Sequence, residues 1–291
     1  MGANTNSTNG GGRGAAPPNA ATAGRRRTPW PLAVVATLFV VVPFLTWYWT
    51  WFGRSLSDEE MAKFLTDGNP RHAQHALSQI AEHVSKGDPE ARRWNAQVVA
   101  LASSPVPDVR MSAAWLMGVE HRSEEFHEAL LKLIEDGEPV VRHNAALALV
   151  RFGDARCRPE LLAMLRPFTI VAQTEGTALT ALTEGTRVKR ESLLVRYQIK
   201  PNLSYEVRSP LPGTVEKAFV KDGGSWRVGD ELFVISPDAE QVRNALVGLY
   251  YFGTAEDLSE VERYKSEAAG PTEEVRRQAA VTAEAIKNRK S

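Results

Sequence analysis

The chain has 291 residues, an ordinary apolar fraction of 43%, and 35 basic residues against 35 acidic ones. That length allows one large or two modest domains with a real core, and the cancelled charge gives no global attraction to nucleic acid or anionic surfaces. A single cysteine, Cys157, excludes an intramolecular disulfide and a multi-cysteine zinc site, and predicts a buried thiol.

Residues 1–28 open with Gly, Asn, Ala, Thr, Ser and Pro and almost no large apolar side chain. Such a segment cannot bury enough surface to offset its ordering entropy, so a disordered tail is predicted. It ends in Arg25, Arg26 and Arg27, and no further charge appears until Arg54. As a helix, Trp30 to Phe52 would reach about 30 Å, the thickness of a hydrocarbon core. Trp30 at one end and Trp47, Tyr48, Trp49 and Trp51 at the other suit the two interfacial belts. A single transmembrane helix is therefore predicted over 29–53. Three arginines before it against one after place the tail in the cytoplasm and the folded part on the far side; in a bacterium, this is the inner membrane with the folded part periplasmic or extracellular.

From residue 54 the pattern becomes helical and periodic. Val-Arg-x-x-Ala-Ala occurs at Val109–Arg110, Val141–Arg142 and Val275–Arg276, with a copy one residue short at Val242–Arg243. Arg110 and Arg142 stand 32 residues apart, Arg243 and Arg276 stand 33 apart, and a period of this size signals stacked helix pairs. The paired alanines, Ala113–Ala114, Ala145–Ala146 and Ala279–Ala280, put a small face where a neighbouring helix can approach closely. Asp108, Pro139 and Glu274 suit helix starts. Segments at 72–84 and 92–102 fit degenerate leading repeats. These motifs resemble the HEAT and HEAT-like repeat families, which implies an α-solenoid over 54–167 and again over 238–291.

Between Arg142 and Arg243 lie about three periods, and removing residues 168–237 leaves one. An insertion between two helices, Pro159–Leu165 and Glu240–Phe252, is the simplest reading, with Phe152–Gly153 and Phe252–Gly253 as equivalent helix ends. Inside it, 169–172, 193–195, 206–208, 215–220 and 232–235 are short strand-like runs bounded by Gly, Pro and Ser. Two half-motifs also recur: Ala172–Thr177 matches Ser209–Thr214, and Glu184–Val188 answers Asp222–Asp230. With Gly213, Gly223, Gly229 and Leu232 at the family spacing, the pair resembles the biotinyl/lipoyl carrier domain, the barrel-sandwich hybrid also found in membrane-fusion adaptors. The first half departs from it, with Glu191–Ser192 where a turn glycine is usual. The resemblance implies an all-β barrel-sandwich over 168–237, with Lys200 where carriers attach biotin or lipoate. Here Ile199 and Pro201 frame that lysine in place of the usual flanks, and the hairpin is longer.

His72 and His75, three apart on a predicted helix, and His121, His127 and His143 lack the partners of a metal signature, so surface or interface roles are expected. No metal, cofactor or catalytic group is predicted. The functional expectation is a membrane-anchored extracytoplasmic scaffold or adaptor that is not an enzyme, binds protein partners in a membrane complex, and takes neither nucleic acid nor a small-molecule substrate. The alternative is a biotin or lipoate carrier modified on Lys200. A third reading, a bilin lyase, follows from likeness to some HEAT-like proteins.

Overall fold

The computed structural model describes residues 34, 35, 37–44, 55–200, 202–266 and 272–289. Contacts divide the chain into two units, 1–55 and 56–291. In the first, residues 34, 35 and 37–44 are helical (α1), with Leu38, Phe39 and Val40 exposed. The predicted span Trp30–Phe52 falls largely outside the described residues, as does the 1–28 tail. No helix among the described residues is long and apolar enough to cross a membrane.

The second unit begins with α2 (Asp58–Thr66), α3 (Pro70–Ser85), α4 (Asn95–Leu101), α5 (Pro107–Val119), α6 (Glu124–Leu133), α7 (Pro139–Phe152) and α8 (Arg158–Ala163). After eight strands come α9 (Ala239–Phe252), α10 (Leu258–Arg263) and α11 (Glu273–Asn288). Helices α3, α5, α7, α9 and α11 pack side by side in that order. In a second layer, α2 packs on α3 and α4, α4 on α6, and α8 and α10 on α9 and α11. These stacked helix pairs have the arrangement that the resemblance to HEAT-like repeats implies.

Local chemistry explains the boundaries. Proline occupies the first turn of α3, α5 and α7, where its missing N–H costs nothing, and Asn69 caps α3 through the Arg71 N–H. The motif alanines Ala113, Ala114, Ala145, Ala146 and Ala279 are wholly buried. Gly118 brings α5 closest to α7: a Cβ there would lie 2.8 Å from the Ala148 Cβ. The motif arginines tie repeat to repeat. Arg110 donates two hydrogen bonds to the Asp136 carboxylate, 2.7 and 2.8 Å, and one to the Ser104 carbonyl. Arg142, one repeat on, donates to the Asp136 carbonyl at 2.7 Å. Burial would raise the Asp136 pKa, but the Arg110 bonds and the Glu138 N–H hold it below the usual carboxylate value.

Both Phe-Gly pairs end a helix as expected, Phe152–Gly153 closing α7 and Phe252–Gly253 closing α9, but the two glycines differ in conformation. Gly153 ends α7 in the left-handed region, φ 76°, where glycine is favoured. Gly253 is extended and is small for a different reason: a Cβ would meet Ile286 of α11 at 2.6 Å.

The strands are β1 (Phe168–Val171), β2 (Gly176–Ala181), β3 (Arg187–Val188), β4 (Leu193–Lys200), β5 (Leu203–Arg208), β6 (Gly213–Ala218), β7 (Ser225–Trp226) and β8 (Glu231–Pro237). They form two antiparallel sheets, β1-β8-β6-β3 and β5-β4-β2-β7, around their own core of Val195, Val215, Leu194, Leu232 and Phe233. The sheets repeat one plan, β5, β4, β2 and β7 matching β1, β8, β6 and β3. Strands β2 and β6 share one burial pattern, and each shifts register at the same point, between Ala178 and Thr180 and between Val215 and Lys217.

Each half also caps the other. Glu184 accepts from the Ala218 N–H while Asp222 accepts from the Ala181 N–H, and Gly185 N–H donates to Val215 as Gly223 N–H donates to Ala178. Glu191 stands at φ 65°, opposite Gly229 at φ 91° in the other half. The sequence runs did not include β2, β3 or β7.

The helical array closes across these strands. Arg158 of α8 donates to both Asp257 oxygens, each at 2.8 Å, and to the Thr254 hydroxyl at 2.7 Å. The Leu165 carbonyl accepts from Arg263 at 2.6 Å and from the Tyr264 hydroxyl at 2.5 Å, and Gln241 donates to the Met164 carbonyl at 2.9 Å. Asp257 is buried, 3% exposed. Burial alone would raise its pKa, yet Arg158 and the Thr254 N–H keep it lowered.

Two outcomes are expected in chemical denaturation. Arg158→Ala strands the Asp257 carboxylate and lowers stability by about 3 kcal/mol. Glu191→Gly removes the strain of a left-handed non-glycine residue and raises stability by up to about 1 kcal/mol, less whatever the added unfolded-chain entropy offsets.

Candidate functional site

Five residues after each motif arginine, or four after the shortened copy at Arg243, comes an apolar side chain: Trp115, Leu147, Val247 and Val281. The buried alanines lie one or two residues before it, so this position turns away from the core. Trp115 is 49% exposed and Val281 48%, with Leu147 and Val247 half-buried. The four form an apolar ridge over α5, α7, α9 and α11, the helices that pack side by side.

One helical turn further on, Arg151 follows Leu147 and Tyr251 follows Val247. Trp115, Asn144, Leu147, Arg151, Val247 and Tyr251 line a groove of about 650 Å³ between α5, α7 and α9. Tyr251 is 59% exposed, and its ring meets Tyr250 edge-on at 5.0 Å. Arg289 donates to the Tyr250 and Tyr251 carbonyls, both at 2.5 Å, which fixes the end of α9 beneath these rings. Arg151 donates to the Gly118 carbonyl at 3.3 Å, and Arg243 pairs with Glu274 at 3.5 Å. Large exposed aromatics on a rigid helical face, with guanidinium and amide groups between them, are the composition of protein-contact surfaces.

A second concavity of about 540 Å³ lies on the β structure where the two halves meet, between Leu182, Glu184, Ala218, Val220, Lys221 and Asp222. Its two carboxylates are those that cap the opposite half.

Lys200 is the last residue of β4, exposed, paired in register with Leu203. Asn202 beyond it is left-handed, φ 68°, as a tight turn requires.

The histidines are separately engaged. His72 Nδ1 lies 2.5 Å from Asp67 with the ring stacked on Phe64, and His75 meets Gln79 at 2.9 Å. His127 Nε2 is 2.7 Å from Asp154 and the ring stacks on Phe152, which His121 meets edge-on. The Asp154 carboxyl is held well below the usual range, first by hydrogen bonds from Arg156 and also by His127. Among the described residues, no group of three or more His, Cys, Asp and Glu side chains could hold a metal ion. Cys157 is wholly buried, and burial, with Asp154 nearby, pushes its thiol up to about 12. Such a thiol is a poor nucleophile.

His143 is the buried exception, 7% exposed at the start of α7. Burial, aided by Arg142, pushes its pKa down to about 4. Its Nε2 lies 3.4 Å from Glu160, whose own pKa burial raises, so the pair rests nearer neutrality than an ordinary ion pair.

A family model described as HEAT repeats matches residues 95–180. The helices of that stretch end at α8, and the remainder of the match runs into β1 and β2. No curated protein matches the chain. Among solved structures, a single-chain, multi-domain long-chain acyl-CoA carboxylase is similar at 20% identity and a TM-score of 0.24, covering 35% of this chain. The chain spans 9% of that protein's length.

Because His143 takes up its proton more readily unfolded than folded, its contribution to stability is complete above about pH 6.5 and is lost as pH falls toward 4. Denaturant melts across that window are expected to lose up to about 3 kcal/mol at this site, and His143→Asn should flatten the loss.

Proposed function

We propose that the chain is a membrane-anchored, non-catalytic scaffold whose repeat array holds a protein partner along the ridge of Trp115, Leu147, Val247 and Val281. The ridge is the observation that carries this reading: an apolar position repeated once per helix pair, wholly or partly exposed on four adjacent helices, offers an extended contact surface. Stacked helical repeats present such extended surfaces as binding faces. Anchoring by Trp30–Phe52 is supported by its charge-free, predominantly apolar composition and aromatic ends, and by the exposed apolar side chains of α1. The arginine bias, three before the span against one after, supports a folded part outside the cytoplasm.

Two matched halves and two packed antiparallel sheets support a barrel-sandwich reading of 168–237, in which the module serves as a second docking face. Its carrier version, with biotin or lipoate on Lys200, draws support from that lysine's exposure at a hairpin end. Pro201 beside it, and a folded part facing away from cytoplasmic ligases, count against it. Intact mass of the native protein separates the two, because a biotin- or lipoate-sized increment would favour the carrier.

For the scaffold, Trp115→Ala with Tyr251→Ala should cut recovery of the native partner from membranes at least tenfold, as loss of two aromatic hot spots does. Lys86→Ala, an exposed side chain at the end of α3 away from both the ridge and the β module, should leave it unchanged. Equal recovery from both variants would rule out the ridge. Protease digestion of the C-terminal part only after the inner membrane is opened would reverse the orientation.

A further inference from the structure

We propose that β5 is the seam of a homodimer, pairing antiparallel with β5 of a second copy about a two-fold axis through Tyr205. Strand β5 is the edge of its sheet, and every residue of it except Val207 is exposed. Its counterpart in the other half, β1, has three of its four residues buried or half-buried. Of two equivalent edge strands, the duplicated design therefore buries most residues of one and leaves those of the other exposed.

The bare edge is also regular. Both register shifts of the β4–β5 pair fall on β4, which leaves β5 continuous from Leu203 to Arg208. Natural edge strands avoid pairing through bulges, proline or charged side chains, lysine above all; β5 has no bulge, proline or lysine within its bounds, and its two charges, Glu206 and Arg208, pair with each other. Alternation puts Leu203, Tyr205 and Val207 on one face and Ser204, Glu206 and Arg208 on the other. Leu203 is 52% exposed and Tyr205 38%, and the Tyr205 ring already rests on Tyr197 at 5.5 Å between centroids.

Self-pairing of this strand has one favourable register. Centring the axis on Tyr205 sets Tyr205 against Tyr205 and Leu203 against Val207, keeping the apolar face unbroken across the seam. The polar face then sets Ser204 against Glu206. A one-residue slip opposes apolar to polar positions throughout, and centring on Glu206 sets two carboxylates directly opposite. The Glu206 carboxylate is neutralised within its own chain by Arg196 at 3.0 Å and by Arg208 at 2.5 Å, so two copies can approach. The product is one continuous eight-stranded sheet across two chains.

The chain's own chemistry makes the test clean, because its one cysteine, Cys157, is wholly buried. Full-length Tyr205→Cys in native membranes, oxidised with copper-phenanthroline, should run mostly as a disulfide dimer on non-reducing gels, with the unsubstituted chain as control. Glu206→Cys, facing the other way and out of register with itself, should cross-link at least tenfold less. Tyr205→Lys, with an unchanged melting temperature, should shift the detergent-solubilised full chain from dimer to monomer by light scattering. A Tyr205→Cys thiol that reacts with maleimide yet forms no dimer overturns the proposal. So does equal cross-linking at both positions, or an adduct whose mass contains a different protein.

Discussion

The grip of Arg158 on Asp257 is the buried polar tie that joins the two runs of helices into one body. The two residues lie on either side of the whole β structure, and the carboxylate that accepts both bonds has almost no access to water. A buried carboxylate without its guanidinium would be costly, and the guanidinium reaches it only when α8 is docked on α9. The Leu165 carbonyl, taken by Arg263 and Tyr264, closes the same gap from the other layer. Everything beyond residue 238 belongs to the array through these contacts and the apolar core they enclose.

The β structure is self-contained in the complementary sense. Its two halves exchange their turn caps, so neither half satisfies its own backbone, while its apolar core stays separate from that of the helices. The Arg190 guanidinium, from the turn that holds Glu191, reaches across to Asp108 at the start of α5. A helical array can carry such a unit because the helices need only meet at its base.

The repeats were legible because they rest on a short motif whose physics is local: a starter, an arginine and two alanines at fixed spacing. Strand β2 was not, since Thr-Ala-Leu-Thr-Ala carries no strong alternation, and β3 and β7 are two residues each. Glu191 hid a left-handed turn behind a residue that rarely adopts one. The arginine bonds from Arg110 to Asp136 and from Arg158 to Asp257 join positions whose sequence separation gives no hint of contact. The candidate site shows the same division. Lys200 stands out in the sequence because the half-motifs frame it, whereas Trp115 and Tyr251 draw notice only once the helix faces are known. For Trp115 the signal was present in the apolar residue five places after each full motif arginine, which a surface position does not need; Tyr251 lies outside that pattern.

The separation of α8 from α9 has a consequence for biosynthesis. At about 5–20 residues per second, a ribosome delivers α9 on the order of ten seconds after α8. Throughout that interval Leu161 and Leu165, both wholly enclosed in the finished protein, face water at the growing end of a nascent array. The newborn chain must therefore be kept from aggregating while a slow, sheet-forming segment emerges between two helices that fold by finding each other.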